Sequence, residues 1–265
     1  MKKIKKLKKI TLDLTRISRI DDAIENDLYE DKDPIGNGHN VGVEIECFFP
    51  GETQVKLFET LLVLSKLDQY CCRDDDSSIE ANGGQSMELK VVAPEKKIYK
   101  VIEKVSELLY SLGARVNNSC GLHVHIDTRY RNKDEVFKRL VNAQDFLFNL
   151  VPQSRRNSDY CIKNDPENYD DPEDRYDPEN SGKHSAINGD TAYDTVEVRI
   201  HTGSVNHIKI NNWIKMLLAL VNNKYPKIPN DPNKVVKILK LNRELASYTR
   251  ERISKFKGHS SPESD

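Results

Sequence analysis

The stretch Asn117-Asn118-Ser119-Cys120-Gly121-Leu122-His123-Val124-His125-Ile126-Asp127 constrains the fold more than any other part of the chain. Leu122, Val124 and Ile126 alternate strictly with His123, His125 and Asp127. Such alternation predicts a half-buried β-strand, because successive side chains leave opposite faces of a sheet. The apolar three are then directed to a core, and two imidazoles and a carboxylate stand in file on the other side. A His-x-His pair so placed is a ready metal site, although the same spacing also arises without one.

Three further segments repeat the pattern. Val41-Gly42-Val43-Glu44-Ile45-Glu46-Cys47 sets Val41, Val43, Ile45 and Cys47 against Glu44 and Glu46. Met87-Glu88-Leu89-Lys90-Val91 sets Met87, Leu89 and Val91 against Glu88 and Lys90. Thr195–His201 sets Val196, Val198 and Ile200 against Glu197, Arg199 and His201. In a shared sheet, Glu44, Glu46, Glu88, Glu197, His123, His125, Lys90 and Arg199 collect on one face. Like charges opposed on neighbouring strands destabilise a sheet, so this face calls for cations. Divalent metal supplies them most simply, leaving Arg199 and Lys90 for a phosphate-rich ligand.

A chain of 265 residues can bury a sizeable core as one large domain or two small ones. Its formal net charge of −1 gives no global field favouring nucleic acid. No apolar run reaches the roughly 18–20 residues of a membrane span. Five cysteines, an odd number with two adjacent, fit a reduced, cytoplasmic chain better than a disulfide framework. Cys120, beside the histidine strand, reads as a small buried residue before it reads as a nucleophile.

Along the chain, residues 1–38 form a charged arm, basic in MKKIKKLKKI and acidic in 21–33, with the folded body starting near His39. Apolar spacing predicts helices from Thr53 to about Leu67, Pro94 to Leu112, Asn132 to Val151, Ile208 to Asn222, and Asn233 to Phe256. Residues 257–265 are a tail. Between 163 and 182 an acidic motif recurs as DPENYD, DPEDRY and DPEN. Its prolines bar it from a central strand or a helix interior, which leaves a flexible insertion, either a lid over the polar face or a spacer. The elements together predict an α+β fold: a curved, mainly antiparallel sheet with helices on one face and an open polar face carrying the site.

Four motifs in order carry a family resemblance: GVEIE at 42–46, the Asp76 loop leading to MELKVVAP at 87–94, NNSCGLHVH at 117–125, and TVEVRIHTGS at 195–204. From about His39 to Val221 the chain resembles the amidoligase family of glutamine-synthetase-like carboxylate–amine ligases. The PQSRRNSDYC run at 152–161 is similar to that family's Arg/Asn/Tyr segment. The resemblance implies a single catalytic domain over residues 39–256, of the glutamine-synthetase catalytic type. It also implies ATP with Mg2+ or Mn2+, and amide formation between a carboxylate and an amine through an acyl phosphate. Glu44, Glu46, Glu88, His123 and Glu197 are then implied metal ligands, with Glu197 also in the catalytic set. His125 and Arg199 are then implied to lie toward phosphate and the reacting group, while Lys90 and Arg155 are expected from their own charge to be further contacts to the nucleotide. Asp76 or Glu80 could add a ligand. A metal-dependent hydrolase using His123, His125 and Glu197, or a non-catalytic binding protein on the same scaffold, are the alternatives.

Overall fold

The histidine strand lies inside a six-stranded sheet in the computed structural model, which describes residues 39–165, 167, 171–223 and 228–256. The strands are β1 (Asn40–Phe49), β2 (Cys71–Asp74), β3 (Gln85–Pro94), β4 (Gly121–Asp127), β5 (Ile187–Asn188) and β6 (Thr195–Thr202). They run in the order β2-β3-β1-β4-β6-β5, and every pair is antiparallel. Alternation does what the sequence predicts. Val41, Val43, Ile45, Leu89, Val91, Leu122, Val124, Val196 and Val198 are at most 1% exposed, on the side covered by helices. Each such side chain contributes ~1.5–3 kcal/mol over leaving it in water, so one face of each strand is committed to the core.

The helices are α1 (Glu52–Leu64), α2 (Glu95–Ser111), α3 (Lys133–Phe148), α4 (Gln153–Arg156), α5 (His207–Val221), α6 (Pro232–Ile238) and α7 (Arg243–Phe256). In α2, Ile98, Val101, Ile102, Val105 and Leu109 make the buried stripe. It ends in a left-handed Gly113 (φ 78°), whose N–H bonds the Tyr110 carbonyl while Ala114 N–H reaches Leu109. That pair of bonds satisfies carbonyls the helix cannot. Asn132 and Asn206 cap α3 and α5 by accepting from backbone N–H groups of the first turn.

Two expectations change. The final helix is broken: α6 stops at Ile238, Lys240 turns left-handed (φ 50°), and α7 restarts at Arg243. The restart signal is Asn242, whose side chain accepts from Leu245 N–H at 2.9 Å. The acidic repeat, where described, also takes regular turns. In its second and third copies, Asp171 and Asp177 accept from the N–H of Glu173 and Glu179, each starting a 3-10 turn with proline at its head. Asp-Pro-Glu is therefore a turn-starting unit. Tyr176 packs against the core, its hydroxyl bonding Asn142 of α3 at 2.9 Å. The charged arm 1–38 and the tail 257–265 lie outside the described residues.

No described helix is long and apolar enough to cross a membrane. All five cysteines are buried and free, Cys120 among them, and burial raises its thiol pKa.

Candidate metal and anion site

Strand register arranges the polar face in rows. One row runs Asp74–Glu88–Glu46, the next Cys72–Lys90–Glu44–His123, and the third Gly42–His125–Glu197–Asn188, with Gly42 on β1 directly opposite His125. Between Leu122 and Val124, β6 carries an extra residue, since Leu122 pairs with His201 and Val124 with Val198. The bulge overturns one expectation. His201 is carried to the helix side, buried against Trp213 at 4.9 Å between ring centroids. Burial and the nearby Arg252 push its imidazole down to about 3.

The acidic and imidazole groups converge. His123 Nδ1 lies 3.0 Å from Glu44 Oε2 and 3.5 Å from Glu197 Oε1, and its Nε2 is 3.3 Å from Glu46 Oε1. His125 Nε2 lies 3.2 Å from Glu44 Oε1 and 3.9 Å from Glu197 Oε1. Three sets bring donor atoms within 4.8 Å of one another: Glu44, His125 and Glu197; Glu44, Glu88 and His123; Glu46, Asp76 and Glu88. Mixed carboxylate–imidazole sets suit Mg2+, Mn2+ or Zn2+. One observation fits a ligand role for His125. His125 Nε2 is buried and makes no well-aligned hydrogen bond although two carboxylates face it. Its Nδ1 meets the Thr195 hydroxyl at 3.2 Å, the kind of second contact that orients a ligating imidazole.

Local sequence explains how these groups are held. Gly42 opposes His125, and a Cβ there would come 3.1 Å from the His125 Cβ. At Gly121 a Cβ would lie 2.6 Å from His123 Nε2 and 3.0 Å from Arg155 Nη2. The glycines of GVEIE and GLHVH thus keep the sheet surface bare beneath the site. Gly121 N–H in turn donates to Glu46 Oε2. The NNSC segment staples the acidic loop, with Asn117 donating to the Glu80 carbonyl at 2.7 Å and Ser119 accepting from Glu80 N–H at 2.9 Å. That backbone anchoring leaves Asp76, not Glu80, in a ligand set.

The cations divide by task. Arg199 donates to Glu197 Oε1 and, through Nε, to the Tyr160 carbonyl at 3.4 Å. Arg155, only 5% exposed, spends Nε and Nη2 on the Arg199 carbonyl (3.2 and 2.6 Å), so it fixes the bulge that aims Arg199. Lys90 pairs with Asp74 at 2.5 Å and lies 3.8 Å from Glu88. It helps neutralise the first row in this structure. Asn188, which the sequence reads only as part of a strand over Ala186-Ile187-Asn188, donates to Glu197 Oε2 at 3.0 Å.

Two hollows flank the rows. A polar one of about 80 Å3 is walled by Glu46, Asp76, Glu88, His123, Arg155 and Arg199, with Tyr160 at its edge. A largely apolar one of about 90 Å3 lies toward the other end of β1, between Val92, Cys72, Gly42, His125 and Tyr193.

Crowding sets the protonation. Burial, then Glu44, Glu46 and Asp76, push Glu88 up to about 8, against the pull of Lys90. Glu44 goes the other way: burial opposes ionisation, but His125 and His123 hold its carboxyl well below the usual range. Burial would lower His125, but Glu44 and Glu197 raise it. Glu88 and His125 both bind protons more tightly folded than unfolded. Their stabilisation is therefore complete at low pH and lost as pH rises through their folded values, near 8 for Glu88. The metal-free thermal midpoint is expected to fall between pH 6 and 9. Mg2+ held by ionised carboxylates would raise it more at pH 9 than at pH 6. Scanning fluorimetry with Mg2+ or EDTA reads both; an equal Mg2+ shift at the two pH values contradicts this electrostatic picture.

Residues 65–188, a little under half of the chain, match a family described as "putative amidoligase enzyme". The match is narrower than the His39–Val221 span of the resemblance. It carries Asp76, Glu88, His123, His125 and Arg155, while Glu44, Glu46, Glu197 and Arg199 come from β1 and β6. The sheet pairs those flanking strands with β3 and β4. No curated protein matches the chain.

Proposed function

We propose, from the match to the amidoligase family and the convergence of seven ligand-bearing residues on one face, that the chain is an ATP- and divalent-metal-dependent carboxylate–amine ligase. The observation that carries the reading is that the three ligand sets overlap and share Glu44 and Glu88. A shared set would suit two neighbouring cations, supplying positive charge to phosphate, better than one structural ion.

The residues divide the work. Glu44, His123, His125 and Glu197 would hold one cation, and Glu46, Asp76 and Glu88 the other. Bound, the cations would neutralise the phosphate charge that builds as the γ-phosphoryl moves. A carboxylate is a poor electrophile, so the acid is activated as an acyl phosphate before an amine attacks its carbonyl carbon and phosphate leaves. Charge in the phosphoryl transfer is spread over oxygens, and positioned donors supply most of the catalysis. Arg199 is the donor nearest Glu197, and its planar fork can bind two of those oxygens at once. The polar hollow beside Arg199 and Arg155 suits the acid, and the apolar hollow past His125 suits the flat base of the nucleotide.

The test is ADP release by the purified chain with ATP and Mg2+ over pools of acids and amines, with products read by mass spectrometry. ADP is expected only when both an acid and an amine are present. Arg199→Lys is expected to lower kcat ~100- to 1000-fold, the usual loss for one transition-state donor, with nucleotide affinity little changed. Hydrolysis without ATP would instead identify a metal-dependent hydrolase. No nucleotide binding with Mg2+ would leave a binding module.

A further inference from the structure

We propose that Asn188, locked by the last Asp-Pro-Glu turn of the acidic repeat, is a positioning residue that aims the Glu197 carboxylate into the site; this rests on the metal-binding reading of Glu197 given above. The repeat thereby gains a role that its sequence does not disclose.

The contacts form a continuous chain. Pro178, the proline of the third copy, is buried against Gly189, where a Cβ would come 2.5 Å from the Pro178 Cβ and 2.7 Å from its Cα. Glycine is therefore required at 189 by close approach. The turn ends in Ser181, 2% exposed, whose hydroxyl accepts from Gly189 N–H at 2.7 Å and Asp190 N–H at 3.3 Å. Its single proton goes chiefly to the Pro178 carbonyl, with Asn188 Oδ1 a longer second acceptor at 3.4 Å. The turn thus grips the chain on the C-terminal side of Asn188. On the other side, Asn164 Nδ2 donates to the Ile187 carbonyl and Asn164 Oδ1 accepts from Ile187 N–H, both at 3.0 Å.

Asn188, itself 4% exposed, lies directly across the ladder from Glu197 and donates to Oε2 at 3.0 Å. Only the amide nitrogen can donate to a carboxylate, so its orientation is fixed by chemistry. With Oε2 held by Asn188, the other oxygen, Oε1, is the one turned to His123, His125 and Arg199. A carboxylate with one oxygen tethered presents the other in one direction, as partners behind a metal ligand commonly arrange. β5 is only two residues long, too short to hold Asn188 by the ladder alone. The repeat supplies what the edge strand lacks.

The test compares Asn188→Ala and Ser181→Ala with the unaltered full-length chain by metal-free crystallography and by Mn2+ titration followed by electron paramagnetic resonance. In Asn188→Ala the Glu197 carboxylate is expected to rotate off its position and Mn2+ affinity to fall ~10- to 100-fold. The thermal midpoint is expected to fall by only a few degrees, as for the loss of about one buried hydrogen bond, which separates positioning from general loss of structure. Ser181→Ala is expected to move Asn188 and to weaken Mn2+ by a smaller factor. A Glu197 carboxylate superimposable on the original in metal-free Asn188→Ala overturns the proposal. If even the unaltered chain fails to bind Mn2+, the ligase reading falls, while the Glu197 position in the metal-free crystals still decides this one.

Discussion

Replacing Glu44 by glutamine is expected to weaken divalent-cation binding about a thousandfold while leaving the fold in place. Glu44 is the residue with the most at stake because it belongs to two of the three ligand sets and touches both imidazoles. Glutamine keeps the length and one oxygen of the side chain, so the substitution removes charge with little change of shape. A unit charge ~4 Å from a divalent cation is worth about 4 kcal/mol at an effective dielectric of ~40, between protein surface and water, close to three decades in affinity. Two opposing effects act on the metal-free fold: the pairing with His123 and His125 is lost, and the repulsion that helps keep Glu88 protonated is relieved. The metal-free thermal midpoint should therefore move little, and the Glu88 pKa should drop. Mn2+ titration and thermal melts of the same preparation measure both. An unaltered Mn2+ affinity would remove Glu44 from the site, and with it the idea that the ligand sets share a centre.

The contrast between core and site in that experiment shows what the sequence made legible. Strict alternation in Leu122–Asp127, Val41–Cys47 and Thr195–Ile200 reads directly onto the sheet, because burial of one face depends only on period two. The convergence of Glu44, His123 and Glu197 follows once those strands are neighbours, because alternation already places all three on the same polar face. Strand order is another matter. It depends on which edges meet after folding: Ala186-Ile187-Asn188 reads as a strand, but nothing local in it announces that it pairs with β6 and supports Glu197. The bulge in β6 is equally silent. It turns His201 inward against Trp213 and leaves the Arg199 carbonyl for Arg155, so alternation misplaced one residue where the register shifts. Asn242 and the Asp-Pro-Glu turns did carry local signals of capping. Their apolar or acidic surroundings masked them: helical spacing ran across the break at Lys240, and the repeat's charge suggested an unpacked segment.

Gly121→Ala is expected to cost both metal affinity and stability, through one methyl group. Gly121 does not need glycine for its backbone angles, since Gly83 and Gly113 are the glycines with positive φ among the described residues. The requirement is space. A Cβ at 121 would stand 2.6 Å from His123 Nε2, 3.0 Å from Arg155 Nη2 and 3.3 Å from Glu46 Oε1. None of the three can yield freely. His123 is 2% exposed and held by Glu44, and Arg155 is bound to the Arg199 carbonyl. Glu46 accepts from the N–H of Gly121 itself. The strand or the imidazole must shift, and overpacking of this kind costs ~1–3 kcal/mol. A displaced His123 also leaves the Glu44–Glu88 pair without its nitrogen donor, so Mn2+ affinity should fall at least tenfold. Gly42→Ala is the matched control. Its Cβ would meet the His125 Cβ at 3.1 Å with no other atom closer than 3.7 Å, a clash that a few tenths of an ångström relieves. Urea denaturation and Mn2+ titration of the two variants should rank Gly121→Ala well below Gly42→Ala on both counts. Equal behaviour would mean that the bare strand surface at Gly121 has nothing to do with seating His123, and the packing account of the GLHVH motif would have to be abandoned.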